Sequence, residues 1–174
     1  MAETLVQELK SEMRALAGKY LTFRLAHEEY GVQITKVVEI IKMMEVTAVP
    51  RTPQYVRGVI NLRGKVIPVV ELRRKFDMPP IDDNDETCII VINVQAGGAT
   101  GAMAAGEVQM GILVDTVSEV LDIGGADIEP PPKFGGSIDT AFILGMAKAK
   151  GAVKILIDID RVLSAGEVAK LAAM

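Results

Sequence analysis

The sequence predicts a mainly β fold built from small antiparallel barrels. Short apolar, β-branched stretches recur along the chain with Gly, Pro, Asn and Asp signals between them. Residues 51–76 pack turn signals and apolar alternation close together, and helical spacing is concentrated at the two ends. Alternating βαβ units would need helical stretches between successive strands, so this spacing favours small barrels instead. With 174 residues and 49% hydrophobic content, the chain is one ordinary domain, or two small ones sharing a core.

Thr4 with Gln7 makes a capping-box pattern, after which Leu5, Val6, Leu9, Met13 and Leu16 form one helical stripe that ends at Gly18. This predicts a helix over Leu5 to Ala17. Tyr20 to Leu25 and Tyr30 to Ile34 alternate on either side of the polar cluster His27, Glu28 and Glu29, which reads as a hairpin. From Ile34 onward, Val37, Val38, Ile41 and Met44 follow helical spacing, but their β-branched members pull toward strand. Both readings stay open, and on either one Lys36, Glu39 and Lys42 fall outside the apolar stripe. Val46 to Val49 is a short strand candidate, and Pro53 can start a helical turn through Val56, ended by Gly58.

Val59 to Arg63 and Lys65 to Glu71 read as two strands about a tight Arg63-Gly64 turn. Alternation puts Val59, Asn61 and Arg63 on one face and Ile60 and Leu62 on the other, so a polar face meets solvent or a partner. Pro68 cannot donate to a ladder and belongs at an edge or bulge. Arg73, Arg74 and Lys75 read as the solvated face of a short helical turn. The acidic, proline-bearing segment near 77–86 loosely divides the chain into two barrel subdomains, between which the chain is free to cross.

Cys88 to Val94, Met110 to Val114 and Val117 to Leu121 are the next strands. Between the first two runs a glycine- and alanine-rich stretch without the Lys-Ser/Thr ending of a phosphate loop, read as a long hairpin loop. After a loop at Pro130 to Pro132, Ala141 to Lys148 and Ala152 to Asp158 form a hairpin turning at Lys150-Gly151. Asp158 or Asp160 caps a short helix through Leu163, and Ser164 with Glu167 forms a second capping box leading into a helix over Val168 to Ala173.

Several function classes are disfavoured by composition. With 19 basic and 23 acidic residues the net charge is -4, which gives no pull toward nucleic acid or an anionic membrane. No apolar run approaches the length of a membrane span or signal peptide. The single cysteine, Cys88, opens an apolar strand and reads as a buried small hydrophobe in a reduced, cytosolic setting. The single histidine, His27, lies in a charged turn, so neither a Ser-His-Asp nor a Cys-His arrangement has its parts. Asp82, Asp83 and Asp85 lack the spacing and closing glutamate of a calcium loop. What remains is a binding module, not an enzyme, with no cofactor and no metal.

The stretch VRGVINLRGKVIPVVELRRKF, with EEYGVQITKVVEI before it and MGILVDTVSEVL after it, resembles the CheW family of bacterial chemotaxis coupling proteins. The resemblance runs from about Tyr20 to Leu163. It implies two small five-stranded SH3-like barrels packed around a shared hydrophobic core, with short helices including N- and C-terminal ones and a groove between the barrels. It also implies a non-enzymatic adaptor joining the cytoplasmic tips of methyl-accepting chemoreceptors to the regulatory domain of the histidine kinase CheA. Such a protein is cytoplasmic and recruited to membrane-associated receptor arrays without inserting in the membrane. Matched by motif, the receptor-facing residues are Ile34, Val37, Glu39, Gly58, Asn61, Arg63 and Gly64, and no kinase-facing residue is assigned.

In that picture Ile34 and Val37 accept apolar side chains of the receptor's helical tip. Glu39 and Arg63 set orientation, pairing with each other or with the receptor, and Gly58 and Gly64 are backbone devices. Read from the residues alone, Ile34 and Val37 are core. The chain departs from the family pattern in the long Ala96 to Gly106 loop and in the Leu5 to Ala17 helix, which either packs on the barrels or serves as a docking element. Two other readings are a coupling paralogue of a different chemosensory pathway and the regulatory domain of a CheA-type kinase. The length leaves no room for a fused receiver domain, and the starting methionine with terminal helices suggests a complete protein.

Overall fold

A computed structural model describes residues 2–95, 107–132 and 141–163 of the chain. The apolar runs on either side of the His27 turn give the first pair, β1 (Gly18–Leu25) and β2 (Glu28–Gln33), in antiparallel register. The segment left open between helix and strand becomes a 3-10 turn at Ile34–Lys36 and then β3 (Val37–Lys42), so β-branching prevails over helical spacing. The remaining strands are β4 (Val56–Leu62), β5 (Lys65–Glu71), β6 (Cys88–Gln95), β7 (Glu107–Val114), β8 (Thr116–Ile123), β9 (Ile128–Glu129), β10 (Ile143–Ala149) and β11 (Ala152–Ile157). Among the described residues three α-helices accompany them: α1 (Ala2–Ala15), α2 (Leu72–Lys75) and α3 (Ile159–Val162).

These strands form two sheets, one ordered β8-β1-β2-β11-β10-β9 and the other β3-β6-β7-β5-β4. The fold is thus mainly β with six and five strands where two fives were expected, the extra member being the two-residue β9. Pairing is antiparallel apart from β11 on β2 and β5 on β7. Among the described residues the chain changes sheet twice, through Ile34–Lys36 into the second sheet and back at Asp115. The 77–86 segment therefore joins β5 to β6 within one sheet. Residues 96–106, the Ser164–Glu167 box and the helix expected over Val168 to Ala173 lie outside the described residues.

Neither sheet closes by a ladder between its own edge strands. In the second, the segment after β3 supplies a bridge from Thr47 to Val59 of β4, all that forms of the strand expected over Val46 to Val49. In the first, α1 covers the opening: Met13 and Leu16 pack with Tyr20, Ile123 and Ile128. The helix sits so close to the 3-10 turn Gly125–Asp127 that a Cβ on Gly125 would lie 2.6 Å from the Arg14 Cα. The helical turn expected from Pro53 to Val56 is a single hydrogen-bonded turn, Val56 N–H to the Pro53 carbonyl at 3.0 Å.

Alternation along each strand divides the apolar side chains among three clusters. Leu21, Phe23, Leu25 and Val32 of the first sheet meet Ile90, Ile92, Met110 and Ile112 of the second in the core the sheets share. Tyr20, Ala147 and Leu156 fill the concave side of the first sheet, and Ile60, Ile67, Val69, Ile89 and Val91 fill that of the second. Each fully buried side chain of this kind contributes about 1.5–3 kcal/mol before entropy is subtracted. A row of rings, Phe23, Tyr30, Phe76 and Phe142, crosses the shared core with centroids 5.8, 5.9 and 4.9 Å apart.

The basic cluster after β5 departs from the solvated face expected of it. Arg73 hydrogen-bonds Asp115 through Nε at 2.7 Å and Nη2 at 2.6 Å, Arg74 pairs with Glu71, and Lys75 lies over the Tyr55 ring. The reason is topological: α2 ends beside the point where the chain returns to the first sheet. Cys88 is half-buried against the shared core, and His27 is exposed in the β1–β2 turn.

Candidate functional site

The polar end of the second sheet is built on the β4–β5 hairpin. Arg63 and Gly64 have φ of 53° and 85°, the two positive values that a type I′ turn requires. Asn61 Oδ1 accepts the Gly64 N–H at 2.9 Å and pins that turn. β4 ends at Leu62, so Arg63 belongs to the turn and not to the face of Val59 and Asn61 expected from alternation. Its guanidinium reaches across to the opposite edge strand. Nη1 donates to Glu39 Oε1 at 2.7 Å and Nη2 to Oε2 at 2.6 Å, a two-point fork.

Glu39 is in place for this because β3 carries a bulge. Val37 pairs with Ile92 and Glu39 with Val91, leaving Val38 unpaired and turning Val37 and Glu39 to opposite faces. Val37 packs against the shared core and Ile41 lies on the concave side of the second sheet. The hydrogen bonds from Arg63, with a further contribution from its charge, outweigh the small opposing effect of desolvation and hold the Glu39 carboxyl below the ordinary carboxylate value. The same fork raises Arg63 above the ordinary arginine value. Arg63 remains 73% exposed, so its outer edge faces solvent.

Gly58 acts a few residues upstream. Its φ is 149°, and a Cβ there would sit 2.1 Å from the Thr47 carbonyl oxygen, so only glycine allows the Thr47–Val59 bridge to close. The seven expected residues thus divide. Glu39, Asn61, Arg63 and Gly64 are joined by hydrogen bonds at one end of the second sheet, with Gly58 supporting the strand that carries them. Ile34 and Val37 stand apart from them, half-buried at the first sheet crossing and packed on the shared core.

Elsewhere on the second sheet the structure adds residues that sequence reasoning missed. Val38 and Ile40 are exposed on edge strand β3, at 44% and 43%. Arg57 joins Glu71 at 2.9 Å and Asp83 at 2.6 Å, which ties the acidic 77–86 segment back onto β4 and β5. A β reading of residues 37–42 would have flagged Val38 and Ile40; nothing local flags Asp83 as the partner of Arg57. Among the described residues no group of three or more His, Cys, Asp or Glu is placed to hold a metal, and no helix is long and apolar enough to cross a membrane.

A family model described as the CheW-like domain matches residues 19–167. The chain belongs to the CheW-like domain family. It is 36% identical over 151 residues to the chemotaxis protein CheW of Klebsiella aerogenes, covering 87% of this chain and 84% of that one. It is also 33% identical to protein FrzA of Myxococcus xanthus, covering 79% of this chain and 82% of that one. The crystal structure of the scaffolding protein TtCheW from Thermoanaerobacter tengcongensis matches with a TM-score of 0.72 and 34% identity, over 87% of this chain and 97% of that one. The CheW-like match begins at residue 19, so α1 lies outside the matched region.

Proposed function

We propose that this chain is a non-enzymatic chemotaxis adaptor that couples the cytoplasmic tips of methyl-accepting chemoreceptors to a CheA-type histidine kinase through the kinase's regulatory domain. The observation that carries the reading is the rigid hairpin end: a pinned type I′ turn presents an exposed guanidinium whose inner edge is held by Glu39. Such an arrangement offers a fixed charge and shape for a partner to dock against. Membership of the CheW-like family supports it. The receptor-facing set is Glu39, Gly58, Asn61, Arg63 and Gly64 at the hairpin end, with Ile34 and Val37 at the sheet crossing accepting apolar side chains. The adaptor works in the cytoplasm at membrane-associated receptor arrays, held there by its partners.

Arg63→Asn separates the turn from the charge, because Asn-Gly is itself a favoured type I′ pair. The variant is expected to stay folded, with a thermal midpoint only slightly below that of the parent, while losing co-sedimentation with receptor-tip assemblies. Undiminished co-sedimentation by the folded variant would remove Arg63 from the receptor surface. Recovery of neither a histidine kinase nor chemoreceptors in a pulldown from the source cells would overturn the adaptor reading itself.

A further inference from the structure

The two sheets share an apolar core, whose packed side chains resist separation and restrict the angle at which the sheets meet. Polar links at the places where the chain crosses add a directional constraint to that packing. Among the described residues there are two crossings, and each carries an ion pair. At Ile34–Lys36, Lys36 Nζ meets Asp160 Oδ2 of α3 at 2.7 Å. At Asp115, a single residue between β7 and β8, the carboxylate takes the two-point fork of Arg73.

The second pair is the more built of the two. Asp115 Oδ2 also accepts the backbone N–H of Ala26 at 2.8 Å, in the β1–β2 turn of the first sheet, while its own N–H donates to the Arg24 carbonyl at 3.1 Å. Arg73 in α2, which follows β5 of the second sheet, gives its remaining Nη1 to the Pro79 carbonyl at 2.8 Å. One carboxylate thus gathers a helix attached to one sheet and a turn belonging to the other. The side chains are 15% and 16% exposed, and Arg73 and Asp115 are 42 positions apart in sequence.

We propose that Arg73 and Asp115 are positioning residues, a clasp that sets the angle between the sheets about an axis through the two crossings. Resting on the adaptor reading, the proposal gives the clasp a role in coupling: Ile34 and Val37 lie at the other crossing, so a receptor tip docked there acts on the same axis that the clasp holds. Bidentate geometry suits this task, because a fork fixes orientation where a point charge fixes only distance.

The test places spin labels at Val66 on β5 and Val153 on β11, both exposed strand positions on different sheets, in a Cys88→Ser background. Pulsed electron-electron resonance is expected to give a narrow distance distribution for the parent and a broadened, shifted one for Arg73→Lys and Asp115→Asn. Glu129→Gln, which removes the Lys148 pair within the first sheet, is the control and is expected to leave the distribution unchanged. Arg73→Lys keeps the charge and loses only the fork, so it decides the matter if Asp115→Asn does not fold. A parent-like distribution in folded Arg73→Lys, or equal broadening in the control, overturns the clasp. In a reconstituted mixture with receptor tips and kinase, Arg73→Lys is expected to lower kinase stimulation by about 5-fold while each binary affinity stays at the parent value. A fall in stimulation that merely follows lost binding overturns the positioning role. A parent chain that gives no stimulation at all sinks the adaptor reading and leaves the distance result standing.

Discussion

At the scale of single residues, the Arg63–Glu39 fork and the Gly58 contact make opposite kinds of claim. The fork is electrostatic and titratable. Glu39 is held below the ordinary glutamate value of 4.5, chiefly by hydrogen bonds from Arg63. A carboxylate depressed on folding stabilises the fold fully above its unfolded value, and that contribution is lost as the pH falls through the folded value. In Arg63→Gln, the Glu39 titration midpoint followed by carbon NMR is expected to rise back toward the ordinary value; an unmoved midpoint means that the pair does not form in solution. The Gly58 claim is steric. Gly58→Ala drives a Cβ against the Thr47 carbonyl at a positive φ, and about 1–3 kcal/mol of stability should be lost in urea unfolding. Faster hydrogen exchange at the Val59 amide should accompany it, because the Thr47–Val59 bridge opens. The glycine was legible in sequence as a backbone device, and Glu39 with Arg63 as a candidate pair. Arg73 was not legible as an inter-sheet ligand, because a run of three basic residues reads locally as a solvated face and its partner lies far along the chain.

Among the elements, those whose register is set by neighbouring residues were readable and those set by distant strands were not. The β4–β5 hairpin follows from a two-residue turn between alternating runs, and α1 from spacing of 3.6, although it runs Ala2–Ala15 instead of Leu5 to Ala17, so that Thr4 lies inside the helix and is not its cap. Residues 34–42 stayed ambiguous because a short apolar run fits both periods; pairing with β6, and the bulge at Val38, decide the matter. Two-residue β9 exists only because β10 lies beside it. For α1 the structure answers the choice between packing and docking at its C-terminal end. Met13 is 9% exposed in the cluster with Tyr20, Ile123 and Ile128, and the Tyr20 hydroxyl donates to the Leu16 carbonyl at 2.6 Å. Leu5, a turn from the start, is 61% exposed. Met13→Ala is therefore expected to cost about 2 kcal/mol, near the low end for a buried methionine because the site sits at the rim of its sheet. Leu5→Ala should stay within about 0.5 kcal/mol in the same urea titration. Equal losses would mean that the packed stripe runs the whole length of the helix.

For the whole molecule, the order of strands matters more than their number. β1 and β2 open the chain, yet their neighbours in the first sheet are β8 and β11, made after the entire second sheet. The Lys154–Glu29 ion pair, with Lys154 buried, ties β11 to β2 although the two strands lie near opposite ends of the sequence. Sequence reading found most of the longer strands because each is a local pattern, though it left β3 open and missed β9, and it placed a loose boundary near 77–86 because composition changes there; it had no local signal for parallel pairings that cross the chain. The boundary has a physical consequence. A chain stopped at Asp77 keeps β1 to β5 but loses β6 and β7, which stand between β3 and β5, together with both outer neighbours of the β1–β2 pair. Neither sheet survives as a sheet, and Leu21, Phe23, Val56 and Val70 lose the partners that bury them in the shared core. Such a fragment is expected to remain unfolded by amide NMR. The intact chain should unfold in urea as one transition, with far-ultraviolet circular dichroism and tyrosine fluorescence coinciding. Two separated transitions, or a folded fragment with dispersed amides, would show instead that the halves on either side of 77–86 are independent folding units despite the interleaved strands.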